Sequence, residues 1–184
     1  MTQAVELIAR YIAQGAFAGA ALLVTKDGET VHEHYAGQAA PGLPAGADVL
    51  WPLASISKLY SVAMIMTLVE QGELTLTQFV RQVMPDFTGD GREQVMLRHL
   101  LTHTSGLIYE SPEMEARLAA QVPMADLIAE AYQAPLLFKP GASISYADYN
   151  TLLAGHMAAT AMGKPFAQLV EELVLQPMGL NNTS

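Results

Sequence analysis

Ser55 and Lys58, in the run Ser55-Ile-Ser-Lys58, are the residues of this sequence whose types and spacing best suit covalent chemistry. They stand just after Pro52, where a loop enters a long apolar stretch that reads as helix. Residues i and i+3 of a helix share a face, so the hydroxyl and the amine can meet. A serine hydroxyl is a weak nucleophile until a neighbouring base takes its proton. A lysine serves as that base when burial and the positive end of a helix dipole lower its pKa. The Ser55 N–H, at a helix start, is also placed to donate to an oxyanion. The same four residues equally describe an N-cap serine with a solvated lysine one turn on, and S-x-x-K recurs by chance.

Other polar clusters are weaker. His99 and His103 stand at i and i+4, but the glutamate of the metal-binding H-E-x-x-H pattern is missing, so both read as structural. His32 and His34 share one strand face, most often a solvated one, and receive no role. Asp86 and Asp90-Gly91 lack the ligand spacing of a calcium loop and read as a polar loop.

The elements that position the pair come from composition and periodicity. The 184 residues, 51% hydrophobic and 15% charged, suffice for a real core in one domain, or one and part of another. A net charge of −9 with scattered basic residues speaks against nucleic acid and anionic membranes as partners. The absence of cysteine excludes disulfides, thiolate metal sites and a cysteine nucleophile. Glu6 and Arg10 interrupt the first apolar run, which therefore does not read as a signal peptide, and no run nears the roughly 18 apolar residues of a membrane span. A soluble cytoplasmic protein is expected.

Val5, Ile8, Tyr11 and Ile12 mark an amphipathic helix over 3–14. Two β-prone runs flank Asp27-Gly28, a hairpin signal. Residues 39–48 read as a loop. A long, largely buried helix from about residue 54 stops at Gly72. Short helices are expected near 77–84, 95–103, 111–120 and 124–133, and further helices over 149–162 and 165–175, with a break at Pro140-Gly141. The expected fold is α/β (α+β): residues 1–50 form a helix and hairpin, and 51–184 a largely helical subdomain, with the site at their junction and Ser55 at the buried start of the long helix. A lone hairpin is marginal in water, so the sheet reads as partial.

Four ordered blocks, WPLASISKLYSVAMIMTLVEQGELTL, VMLRHLLTHTSGL, KPGASISYADYNTLLAGHM and MGKPFAQLVEELVLQPMGL, resemble the serine β-lactamases of the class C type, the D,D-peptidases and the β-lactamase-like esterases. The resemblance runs from about residue 18 to the last residue and implies a β-lactamase/transpeptidase-like fold. It implies that Ser55 is acylated, that Lys58 is its partner, and that Tyr146, five residues after Gly141, relays protons between nucleophile and leaving group. An ammonium beside a tyrosine suits that relay. Tyr149-Asn150 is a rival for the motif at the wrong spacing. Asp148, a substrate-binding position, stands where many β-lactamases have Asn; an ionised Asp only accepts hydrogen bonds, which favours an ester or another amide over a β-lactam.

Family members continue beyond the last residues here, with further sheet strands, a Lys-Thr-Gly or His-x-Gly motif and a second oxyanion donor. The chain therefore reads as a truncated portion, and loss of one such donor costs on the order of 10²–10³ in rate. The resemblance implies a serine hydrolase working through an acyl-enzyme, first a carboxylesterase. The alternatives are a β-lactamase or D-amino-acid peptidase, and a non-catalytic penicillin-binding sensor or inactive fragment. Its partners would be small esters, amides or β-lactams, with no cofactor and no metal, and self-association could occur through an exposed sheet edge.

Overall fold

The computed structural model describes residues 2–108 and 120–183. Residues 111–119 of the expected helix over 111–120 lie outside the described residues. The chain forms two compact units, Met1–Leu53 and Ala54–Ser184.

In the first unit, helix α1 (Thr2–Ala13) packs against the sheet with Val5, Ile8 and Ile12 half-buried, while Tyr11 stays exposed. Strands β1 (Gly19–Lys26) and β2 (Glu29–Ala40) form the hairpin, closed by Lys26 opposite Glu29. Asp27 and Gly28 have φ of 52° and 83°, the positive values a tight two-residue turn requires of both positions. The expected loop over 39–48 is corrected. β2 runs on to Ala40, and a short β3 (Leu43–Pro44) folds back on it, giving the antiparallel order β1-β2-β3. No described residue of this unit is fully buried, and Leu23 and Val31 are 60% and 58% exposed, as befits a sheet too small to enclose a core.

In the second unit, a 3-10 turn (Ala54–Ile56) precedes α2 (Ser57–Glu70). The helix stops at Gly72 as its sequence implies: the Gly72 N–H donates to Val69 O at 3.1 Å and the Glu73 N–H to Leu68 O at 3.0 Å, which satisfies carbonyls that the ending helix leaves open. Although apolar nearly all round, α2 buries only Ser61, Met64, Ile65 and Leu68, and Leu59 is 67% exposed. The helix expected over 77–84 shrinks to a 3-10 turn (Val80–Gln82). There the backbone is claimed by a distant segment, with Val80 N–H bonded to Val95 O, Leu97 N–H to Gln78 O and Arg98 N–H to Leu76 O. The helix expected over 95–103 is confined to α3 (Leu97–Leu101) for the same reason; His99 Nδ1 caps it by accepting the Met96 N–H at 3.2 Å.

Then come α4 (Met124–Gln133), α5 (Asp148–Met162), α6 (Phe166–Val170), a π-helical turn (Glu171–Leu175) and α7 (Gln176–Met178). One core holds them together, with Met64, Ile65 and Leu68 of α2 in the same buried cluster as Leu153 and Met157 of α5, Phe87, Leu100 and Leu169. The packing of α2 on α5 sets the two helix starts, and with them Lys58 and Asp148, in one place. No described helix is long and apolar enough to cross a membrane.

Candidate active site

The chain enters the site through Ala54, whose φ is 47°. A residue with a Cβ holds that left-handed conformation at a cost of about 1–2 kcal/mol. Ser55 follows in the 3-10 turn, ahead of α2 rather than within it, and is exposed. Its expected burial is thereby corrected: the buried face of α2 begins only at Ser61. Lys58, in the first turn of α2, directs Nζ to within 3.1 Å of Ser55 Oγ, the i, i+3 meeting anticipated from spacing.

Tyr146 arrives from 91 residues away, and its hydroxyl lies 2.9 Å from Ser55 Oγ. The segment that carries it is laid along residues 103–104. Gly141 N–H donates to Thr104 O at 2.8 Å, Ser145 N–H to His103 O at 2.9 Å, and Ala147 N–H to His103 Nδ1 at 3.3 Å. The His103 ring stacks on the Tyr146 ring with centroids 4.6 Å apart. Behind them runs a buried relay. Leu107 N–H donates to Ser105 Oγ at 3.1 Å, the Ser105 hydroxyl donates to Asn150 Oδ1 at 2.5 Å, and Asn150 Nδ2 lies 3.2 Å from His103 Nδ1. Ser105 and Asn150 are both fully buried. Tyr149-Asn150 thus belongs to the interior, while Tyr146, at 43% exposure, faces the serine.

Asp148, at the head of α5, pairs with Lys58, Oδ1 to Nζ at 2.6 Å. This pair reverses the direction expected for the lysine. Burial lowers the Lys58 pKa, but the bond and charge of Asp148, with a contribution from Tyr146, outweigh it and hold the pKa above its ordinary value. Lys58 is therefore an ammonium at neutral pH and cannot take a proton from Ser55 until it has lost one. For His103, burial comes first and the Lys58 charge second in lowering the pKa, and they outweigh opposing pulls from the Ala147 backbone and from Asp148. Its imidazole is neutral at pH 7.

The structure thus brings Ser55, Lys58, Tyr146 and Asp148 together. It adds His103, which spacing alone consigned to a structural block. The contact joins positions 44 residues apart, and nothing local in the sequence signals it. Among the described residues, no group of three or more His, Cys, Asp or Glu is placed to hold a metal ion; both nearby histidines spend Nδ1 on backbone N–H groups.

Comparison with known proteins bears on what such a site does. The Beta-lactamase family model matches residues 4–184. Esterase EstB of Burkholderia gladioli is 33% identical over 181 residues, covering 89% of this chain and 46% of that protein. A beta-lactamase of Pseudomonas fluorescens is 28% identical, over 76% of this chain and 38% of that protein. Among solved structures, EstCE1, a hydrolase with promiscuous acyltransferase activity, superposes with a TM-score of 0.80 at 27% identity, over 95% of this chain and 50% of that one. The chain spans half or less of the length of each.

Proposed function

The chain belongs to the beta-lactamase family, and from that premise we propose that it carries the acylation machinery of a serine hydrolase acting on uncharged carboxylic esters. The observation that carries this reading is the convergence on Ser55 Oγ of Lys58 Nζ at 3.1 Å and Tyr146 Oη at 2.9 Å. In acylation Ser55 Oγ attacks the ester carbonyl and gives its proton to Tyr146 Oη. Tyr146 passes its own proton to the departing alkoxide, so the carbon–oxygen bond to the leaving group breaks as the acyl–serine bond forms. Water then repeats the relay in reverse and releases the acid. The Lys58 ammonium serves as a fixed positive charge beside the phenol oxygen while the proton is in transit.

The substrate class follows from Asp148. Its carboxylate offsets the Lys58 charge at 2.6 Å, so the pair presents no net cation to a substrate carboxylate. That supports neutral esters over β-lactams and D-amino-acid peptides, which carry a free carboxylate for which the pair offers no net positive charge. A β-lactam or D-amino-acid amide is the second reading, favoured by the match to the Pseudomonas beta-lactamase. Self-association through the first unit's sheet goes with either reading and is supported by the exposed Leu23 and Val31.

The test is intact mass after exposure to a fluorophosphonate and, separately, to a penicillin, alongside turnover of a chromogenic short-chain ester and a chromogenic cephalosporin. One fluorophosphonate adduct, lost in Ser55→Ala, is expected, with the ester turned over in preference. Asp148→Asn should shift the ratio toward the cephalosporin. An adduct that survives Ser55→Ala, or none on the folded chain, refutes the reading.

A further inference from the structure

His103 makes three contacts with three consecutive residues. Its carbonyl accepts the Ser145 N–H, its ring face covers Tyr146, and its Nδ1 accepts the Ala147 N–H. The backbone that allows this is itself unusual, with His103 held at φ 54°, a conformation asparagine and histidine tolerate better than most residues.

The protonation state of the ring is dictated from behind. Ser105 Oγ accepts the Leu107 N–H and donates its hydroxyl proton to Asn150 Oδ1. That orients the Asn150 amide with its NH2 toward His103. Both neighbours of Nδ1, Asn150 Nδ2 and Ala147 N, are donors and require a lone pair there, which places the ring proton on Nε2. The charged groups that act on the ring come from the elements around it: Lys58 from α2, Asp148 from the head of α5. Resting on the serine-hydrolase reading, we propose that His103 is the positioning residue for Tyr146: as a neutral Nε2–H imidazole it fixes residues 145–147 and so sets the phenol hydroxyl against Ser55. Protonating Nδ1 turns an acceptor into a third donor facing two others, and releases the Ala147 anchor.

Three substitutions separate the parts. His103→Asn keeps the left-handed backbone and offers a side-chain oxygen to the Ala147 N–H, but removes the ring and its titration. His103→Phe keeps a ring without an acceptor. His103→Ala removes both. The rate of fluorophosphonate labelling at Ser55 is expected to fall about 10²-fold in His103→Ala, the cost of a displacement near 1 Å at a reacting group. The other two should lie between it and the parent. A fall in labelling rate as the pH drops through the titration of His103 should be present in the parent and absent in His103→Asn. Urea midpoints show which variants are folded. Labelling of folded His103→Ala at the parent rate, with Tyr146→Phe slowed, overturns the role.

A second measurement needs no chemistry at the serine. In 13C-tyrosine-labelled protein the Tyr146 ring signals, assigned by their loss in Tyr146→Phe, should move as His103 titrates and should lose that step in His103→Asn. Tyr146 signals that ignore the titration of His103 overturn the role. A parent chain that takes no Ser55 adduct refutes the hydrolase reading alone, and the Tyr146 signals then decide the role of His103.

Discussion

Consider Ser105→Ala and Asn150→Ala, singly and together. Both residues are fully buried and joined by a 2.5 Å hydrogen bond. Ser105→Ala strips the buried Leu107 N–H of its acceptor and Asn150 Oδ1 of its donor. Each orphaned group costs about 1–3 kcal/mol, so a loss of about 3 kcal/mol is expected. Asn150→Ala leaves the Ser105 hydroxyl proton unmatched and opens a void the size of a side-chain amide, a loss of about 2–4 kcal/mol. In the double variant two of these orphans vanish with their owners: the unmatched Oδ1 and the unmatched hydroxyl. The double should therefore be less destabilised than the sum of the singles by the cost of two orphans, about 2 kcal/mol or more. Urea unfolding followed by far-UV circular dichroism, with m-values compared across the four proteins, gives the cycle directly. Additivity within about 0.5 kcal/mol would mean that the two residues do not share a buried bond, and the orientation assigned to the Asn150 amide would fall with it. A companion, Asn150→Asp, presents an acceptor to His103 Nδ1 in place of a donor. The pKa of His103 should rise in it, measured by NMR titration, and an unchanged value would contradict the relay.

Gly106 has φ +91°, and a Cβ there would lie 2.2 Å from Phe138 O, whereas Gly163, at φ +61°, has open space. Gly106→Ala should cost about 3 kcal/mol or more and Gly163→Ala about 1 kcal/mol; equal urea midpoints would refute the difference. Burial is the first cause lowering the pKa of His99, His103 and His156 from 6.5. The unfolded chain therefore binds protons first as pH drops below about 6.5, so the stability present above that pH is lost as it falls through the folded values. Urea midpoints at pH 7.5, 6 and 5 should decline in that order, and a flat series would refute the assignment.

What the sequence revealed was local. Asp27-Gly28 named its own turn, Gly72 named a helix end, and the three-residue step from Ser55 to Lys58 put two functional groups on one face. Tyr146 was legible only through its register after Gly141. What stayed hidden depended on partners far along the chain. Residues 77–84 carry a helical pattern, yet Gln78 and Val80 bond to segments near 95–97 instead, and tertiary pairing overrides propensity there. The apolar girth of α2 gave no warning that Leu59 would be exposed. The direction of the Lys58 pKa could have been foreseen from Asp148, two residues beyond Tyr146, had its carboxylate been weighed as a partner for the lysine rather than for substrate.

Ser55 Oγ and Tyr146 Oη meet across 91 residues, and that distance has a kinetic meaning. Closing so long a loop is entropically unfavourable until the intervening helices have packed, and contacts of such separation slow folding. Ser55 and Lys58 become neighbours once the 3-10 turn and α2 have formed, but Tyr146 reaches Ser55 only when α5 docks and the 141–147 segment is pinned to His103. On the proposed function, reactivity at Ser55 waits for that contact, and a fluorophosphonate pulse delivered during refolding becomes a clock for its closure.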